Sequence, residues 1–245
     1  MTPTRARREE SRMLPAPPRN PATPPERACV VMAAQLEALE RDILAARVPR
    51  RRPAARRAVP ASGEEVRLSE RRTVAVRPVC PTDGHALRSL FDRLGALTRY
   101  RRFLAPIESL TPHQVAFLTQ IDELDHDALL AFDVLTGEAV GVARCRREPA
   151  RPSAARLAVV VTDSWQGHGV ATALVERLGV RARGNGIQIF HGVTVAPNPA
   201  AHALGRRAAR SLTADRNMGW SELTARLADP PRAAPALATV VPTSP

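Results

Sequence analysis

From residue 71 onward, apolar residues recur at the two periods that are typical of strands and helices. Short runs such as RRTVAVRPV (71–79) place them at every second position, as a half-buried strand does. Longer runs such as PTDGHALRSLFDRLGAL (81–97) place them three and four apart, with Asp83 as a candidate helix cap. A second short helix is predicted at 109–122, where Thr111 precedes Pro112. Further strands are predicted at 126–135, 138–148, 154–163, 187–196 and 220–227, and further helices before Gly184-Asn185-Gly186 and at 198–210.

This order of elements predicts one α/β domain over residues 71–228, with a mixed sheet and helices on its faces. The tight TGE between the runs at 126–135 and 138–148 predicts an antiparallel hairpin. The flanking segments read differently: 1–25 and 229–245 are proline-rich and expected to be disordered, 26–47 has the apolar spacing of an amphipathic helix, and 48–70 resembles a linker.

The charge of the chain points first to a polyanionic partner, but its distribution weakens that interpretation. The formal net charge is +12, all 36 basic residues are arginine, and residues 1–72 carry 16 of them against 9 acids. Aromatic residues, which would stack on exposed bases, make up only 3% of the chain. We therefore disfavour nucleic-acid binding as the main function, and a solvated linker is the preferred interpretation of the arginines at 48–65.

Neither a membrane anchor nor a metal site is predicted. No stretch approaches the roughly 18–20 apolar residues that a membrane span needs. The apolar run at 28–34 is bounded by charges, unlike a signal peptide, so we expect a cytoplasmic protein. Cys29, Cys80 and Cys145 lie far apart, and the six histidines show no metal-ligand spacing.

The candidate chemistry is concentrated in the glycine turn of VVVTDSWQGHGVATALVERL (159–178), between a strand and a helix. A P-loop is excluded because it needs a lysine, which this chain lacks. A dinucleotide fingerprint is disfavoured because Thr172 stands at the third glycine position and no acid follows on the next strand. The remaining pattern, Gln166-Gly167-His168-Gly169-Val170-Ala171, would bind a pyrophosphate with free backbone N–H groups at a helix N-terminus.

Together with its flanks, this turn resembles the acetyl-CoA-binding motif of the GCN5-related N-acetyltransferase (GNAT) superfamily. Residues 73–94 resemble the opening strand and helix of these domains, and 97–132 resemble a segment of the Pat-like protein-lysine acetyltransferases. The resemblance covers residues 72 to about 228 and implies a GNAT-type mixed, mostly antiparallel sheet flanked by helices. The residues of 97–132 that match this branch are Tyr100, Arg102, Phe103, Asp122 and His126.

The resemblance implies a binding site for acetyl-CoA, beside the absence of a metal site already predicted from the Cys and His spacing. Val159, Val160 and Val161 would offer backbone groups to the pantetheine arm, between two strands that separate in this family. The pyrophosphate would bind along the turn, and an asparagine in this family commonly contacts the cofactor. The predicted cofactor residues at the turn and beyond it are Gln166, Gly167, His168, Gly169, Val170, Ala171, Thr172 and Asn198.

The catalytic residues are not assigned by the sequence. In the Pat-like branch, a glutamate in a pattern like A-E-V-A-F serves as base, whereas this chain has ARLAV (155–159), with Arg156 in that place. An arginine cannot accept a proton at neutral pH. Alternative bases are a water chain to solvent or one of four acids, each of which also fits a structural loop role. These are Asp122, Glu123, Asp125 and Asp163.

Two functions therefore remain open at the level of sequence. The first is an N-acetyltransferase that moves acetyl from acetyl-CoA to a primary amine, either a small molecule or a protein lysine. The second, favoured by Arg156, is an acetyl-CoA-binding module that acts as a sensor or binds a partner. The family's acid for the leaving thiolate is a tyrosine on the later helix, where this chain offers only His202; its one tyrosine is Tyr100.

Overall fold

The elements of the folded part form one mixed sheet with helices on both faces. The computed structural model describes residues 63–69, 72–103, 107–195, 197–217 and 219–227. The segments predicted at 1–25, 26–47 and 229–245, and most of the predicted linker, lie outside the described residues. The strands are β1 (Glu64–Arg67), β2 (Thr73–Pro78), β3 (His126–Asp133), β4 (Ala139–Glu148), β5 (Arg151–Val161), β6 (Ile189–Val195), β7 (Ala209–Asn217) and β8 (Trp220–Leu227). The helices are α1 (Gly84–Asp92), α2 (Ala96–Phe103), α3 (Pro112–Thr119), α4 (Val170–Gly184) and α5 (Pro199–Ala208).

The described strands lie in the order β1-β2-β3-β4-β5-β6-β8-β7. All neighbouring pairs are antiparallel except β5 and β6, which are parallel. The predicted hairpin between β3 and β4 is therefore confirmed. The parallel pair follows from the chain path, because α4 returns the chain across the sheet before β6 begins. The mixed, mostly antiparallel sheet predicted from the sequence is also confirmed.

The core is divided between the two faces of the sheet. The rear face, on which α4 packs, buries Leu174, Leu178 and Phe190 together with Val74 and Ala143. The front face carries α1 and α3, and its buried residues include Leu87, Leu90 and Phe91. Helix α2 contacts β5 and β6, and α5 packs against α4, β7 and β8. Among the described residues, no helix is both long and apolar enough to span a membrane.

Both edge strands were missed by the sequence prediction. The prediction placed residues 64–70 in a linker, but β1 pairs with β2 along its whole length. It also extended the last helix to Arg210, whereas α5 ends at Ala208 and β7 follows directly. Both strands are mostly exposed and polar, so they lack the alternation that marks a half-buried strand.

Two helix starts illustrate how capping residues act in this chain. Helix α3 begins as predicted: Thr111 accepts a hydrogen bond from Gln114 N–H, and the Gln114 side chain accepts one from Thr111 N–H. Asp83, predicted to cap the first helix, forms no side-chain cap to α1. Its carboxylate instead binds the Arg77 guanidinium at 2.7 Å through both oxygens and accepts the Cys80 N–H.

The predicted helix at 81–97 is divided in the structure. A turn of 3-10 helix at Pro81–Asp83 leads into α1, which ends at Asp92, and α2 begins at Ala96. At this break the Gly95 N–H donates a hydrogen bond to the Asp163 carboxylate instead of to a carbonyl of the preceding helical turn.

Replacement of Arg77 by methionine should reverse the pH dependence that Asp83 confers on stability. Burial raises the pKa of Asp83, but the Arg77 guanidinium and the Cys80 N–H outweigh burial and hold it below its ordinary value. The pair therefore stabilises the wild-type protein above the ordinary carboxyl pKa, and this contribution is lost as the pH falls through the lowered pKa. In the variant, burial, the largest of these effects, is opposed only by the Cys80 N–H, so the pKa should rise and stability should decline as the pH rises through it.

We expect Arg77→Met to lose about 3–5 kcal/mol of unfolding free energy at pH 7, because a buried carboxylate is left without its counter-charge. Urea unfolding at pH 7 and pH 5 checks this, and the variant should be more stable at pH 5. The double variant Arg77→Met/Asp83→Asn is the control and should not gain stability at pH 5. An unchanged pH dependence in the single variant would contradict the assigned role of Arg77.

Candidate functional site

The parallel strands β5 and β6 separate soon after they meet. Their register pairs are Ala154 with Ile189, Ala155 with Phe190, and Arg156 with His191. Strand β5 then continues to Val161 and β6 to Val195, but the described residues form no further pair between them. The facing edges of both strands therefore offer backbone N–H and C=O groups to a ligand at their carboxyl ends, where open α/β sheets bind ligands.

The three predicted cofactor residues of β5 lie on this separated part. Val159, Val160 and Val161 remain paired with β4 on their other side, opposite Ala143, Val142 and Gly141. Val160 and Val161 are buried, so the strand is held by the core while one backbone edge stays available.

The turn after β5 has the backbone geometry of an anion-binding helix start. Gly167 has φ of +80° and Gly169, which precedes α4, has φ of +94°. These left-handed conformations favour glycine. The first N–H groups of α4 belong to Val170, Ala171 and Thr172 and have no partner within the helix. A Cβ built on Gly167 would meet no atom within 4 Å, so the turn is open on that side.

Hydrogen bonds tie this turn to the front of the domain. The Asp163 carboxylate accepts from Gly95 N–H at 2.6 Å and from the Thr98 hydroxyl. The Gln166 amide donates to Val161 O at 3.1 Å, to Asp163 at 3.0 Å and to Thr98 at 3.2 Å. Gln166 therefore positions the turn through its side chain. Asp163, one of the four candidate bases, is engaged as the anchor of the loop between α1 and α2.

The other candidate acids also have structural partners. Asp122 accepts hydrogen bonds from three backbone N–H groups of the turn that leads into β3. Glu123 forms an ion pair with Arg181 at 3.2 Å, and Asp125 forms one with Arg147 at 2.7 Å. These contacts favour the loop roles that the sequence left open for all three.

Asn198 forms the cap of α5. Its side-chain oxygen accepts from Ala201 N–H at 3.1 Å, and its amide donates to the Thr194 hydroxyl at 2.7 Å. A contact with a cofactor stays a prediction for this residue. His202, the candidate thiolate acid, is half-buried on the same helix, whereas Tyr100 lies partly exposed on α2.

A histidine and a glutamate that the sequence did not single out meet where β5 and β6 begin to separate. His191 Nδ1 lies 2.8 Å from Glu148 Oε1, and the Arg156 Nε lies 3.8 Å from the same oxygen. The side chains of Glu148 and His191 are 17% and 14% exposed, whereas that of Arg156 is 58% exposed. The two residues are 43 positions apart on different strands, so only the register, which sets His191 opposite Arg156, could have indicated the pair.

The front face beside this pair is basic. Arg146 of β4 stands between His126 of β3 and Arg156 of β5 in the register. Burial, with Arg144 and Arg146 adding to it, lowers the pKa of His126 to about 3, so this histidine is neutral at pH 7. Its ring stacks on Phe117, with the ring centroids 5.1 Å apart. His126 is thus a packed residue of the front face.

Comparison with known proteins identifies relatives of this arrangement. The sequence model of the acetyltransferase (GNAT) family matches residues 96–208. Acetyltransferase PA5475 of Pseudomonas aeruginosa is 32% identical over 145 residues, which cover 56% of this chain and 74% of that protein. Acetyltransferase Pat of Mycolicibacterium smegmatis is 29% identical over 125 residues, 51% of this chain and 37% of that protein. The crystal structure of the GNAT domain of S. lividans PAT superposes with a TM-score of 0.61 at 29% identity, covering 67% of this chain and 96% of that one.

Proposed function

This chain belongs to the acetyltransferase (GNAT) family, and we propose that it transfers acetyl from acetyl-CoA to a primary amine. The observation that carries the proposal is the separation of β5 and β6 directly beside the glycine turn. An unpaired strand edge suits an extended arm that carries amide groups. A helix N-terminus suits a pyrophosphate. The acceptor is a small amine or, as the resemblance to the Pat-like branch implies, a protein lysine.

The residues of the gap and the turn fit acetyl-CoA by their chemistry. Backbone groups of 159–161 would hydrogen-bond the pantetheine amides, and the N–H groups around Gly169 and of the first turn of α4 would bind the pyrophosphate. Bound acetyl-CoA would supply an activated thioester as the acetyl donor. In the reaction a C–N bond forms and the C–S bond breaks. The ammonium proton of the acceptor has to be removed before attack, and the second proton that the nitrogen loses is taken up by the leaving CoA thiolate.

We propose that His191 removes this proton and that Glu148 orients the His191 ring. The Glu148 carboxylate at 2.8 Å favours the tautomer in which Nδ1 carries the hydrogen, which leaves Nε2 free to accept a proton. This arrangement would supply the base that Arg156 cannot supply. Arg156, 3.8 Å from the same carboxylate oxygen, would help to hold Glu148 in place as the partner of His191.

Thiol release from acetyl-CoA with a panel of amines and lysine peptides tests the function. We expect turnover by the wild type, and no large gain from Arg156→Glu, because the base is supplied by another residue. Tight acetyl-CoA binding without turnover, rescued by Arg156→Glu, would instead support the alternative, an acetyl-CoA-binding module.

Gly169→Val should weaken acetyl-CoA binding by at least about tenfold, which corresponds to 1.4 kcal/mol. The side chain would stand at the helix start and strain a backbone with φ of +94°. Calorimetric titration with acetyl-CoA measures the effect. The matched control is Gly186→Val, since Gly186 has φ of +82° with open space around it and lies at the other end of α4. Equal affinity of the Gly169 variant and the wild type would refute the binding role of the turn.

His191→Gln should lower kcat by about 100-fold at pH 7, within the range typical of general-base catalysis. The loss should shrink as the pH rises toward the pKa of the acceptor amine, because free amine then needs no base. The acetyl-CoA Kd should stay unchanged. His113→Gln, at an exposed position on α3, is the control. If the pH–rate profile of the His191 variant matched that of the wild type, His191 would not be the base.

A further inference from the structure

Two arginines line one small cavity on the front face, close to the separated strands. Arg102 of α2 and Arg144 of β4 share this cavity, which has a volume of about 30 Å³. Its apolar walls include Leu90, Phe91 and Val160. Val160 belongs to the part of β5 that separates from β6, and α2 contacts both of these strands. The cavity therefore lies beside the proposed acetyl-transfer site, on the face that carries His191.

Neither guanidinium is neutralised by the protein in the part of the chain that the structure describes. Arg144 is only 8% exposed, and its one hydrogen bond goes to Leu118 O at 2.9 Å, although a guanidinium carries five N–H donors. Arg102 is half-buried and forms no hydrogen bond or ion pair with a described residue; it stacks on the Phe103 ring at 4.9 Å.

The two side chains nevertheless stay charged at neutral pH. Burial lowers the pKa of Arg102 to about 10, and burial together with the charge of Arg102 lowers the pKa of Arg144 to about 9. Two like charges beside one apolar cavity are unfavourable unless an anion joins them. Glu148, an acid of the same face, is already bound by His191 and Arg156.

We propose that Arg102 and Arg144 bind a carboxylate of the acceptor, so that the substrate is an amine with a carboxylate beside it. The proposal rests on the acetyl-transfer function. The carboxylate can come from two sources, a free amino acid or an acidic residue next to a lysine of a protein. A volume of about 30 Å³ admits one carboxylate group, since a water molecule needs about 10–15 Å³ of such space. A fork of guanidinium donors matches a carboxylate in shape and charge.

Binding of reaction products tests the site without turnover. N-acetylated amino acids and their methyl amides should be titrated calorimetrically into the full-length protein with CoA present. We expect the carboxylates to bind at least tenfold more tightly than the amides. Arg102→Met and Arg144→Met should each remove this preference, whereas Arg101→Met, at an exposed neighbouring position on α2, should keep it. Equal binding of the carboxylate and amide forms by the wild type, both for these amino acids and for Nε-acetyl-lysine peptides flanked by Asp or by Asn, would overturn the proposal.

Steady-state kinetics distinguish the two sources of the carboxylate. They also distinguish failure of this proposal from failure of the proposed acetyl transfer. Amino acids are compared with their amides, and lysine peptides flanked by Asp with peptides flanked by Asn. The pair that shows the lower KM for the carboxylate form identifies the source, and no difference in either pair would contradict the site. Turnover without a carboxylate preference would leave acetyl transfer standing and remove this inference. Carboxylate binding without turnover would support the carboxylate site and contradict the proposed acetyl transfer.

The thermal stability of Arg102→Met distinguishes a ligand site from a structural one. Removing an unpaired charge should leave the melting temperature unchanged or raise it, while the carboxylate preference is lost. A lower melting temperature with an unchanged preference would show that Arg102 acts in folding and not in binding.

Discussion

The three-residue parallel pairing of β5 and β6 is the constraint on which the proposed site depends. A parallel neighbour is imposed by the crossover through α4, and β6 is then drawn away by its antiparallel pairing with β8, which runs along its whole length. Strand β5 stays with β4 to Val161. Because each strand follows its other partner, a gap opens between them, and backbone groups that would pair in a complete sheet are left to a ligand.

The same crossover places the helix N-terminus at the end of this gap. The chain turns from β5 into α4 through two left-handed glycines, and Leu174 and Leu178 fix the helix against the rear face. Asp163 holds the turn to the loop between α1 and α2, on the opposite face of the sheet. The turn is thus supported from both sides of the domain, which limits its movement where a pyrophosphate would bind.

The charged residues of the front face form two groups, one proposed for proton removal and the other for binding a carboxylate of the acceptor. Glu148 is shared by His191 and Arg156, so the negative charge near the gap is used to orient one imidazole. Arg102 and Arg144, set back against α1, have no such partner among the described residues. A positive cavity beside a base suits an acceptor that brings its own anion, and it disfavours a lysine that has only basic neighbours.

The sequence by itself determined what depends on neighbours in the chain. The strand-turn-helix at 159–178, the Thr111 cap and the β3–β4 hairpin follow from spacing and turn chemistry, and the resemblance extended them to the family. The polar edge strands β1 and β7 were not predicted, because such a strand is recognised only through the partner strand with which it pairs. The role of Asp163 and the meeting of Glu148 with His191 were likewise decided by the tertiary structure. Strand register and sheet face bring such groups together across 40 residues or more, and no local pattern encodes that proximity.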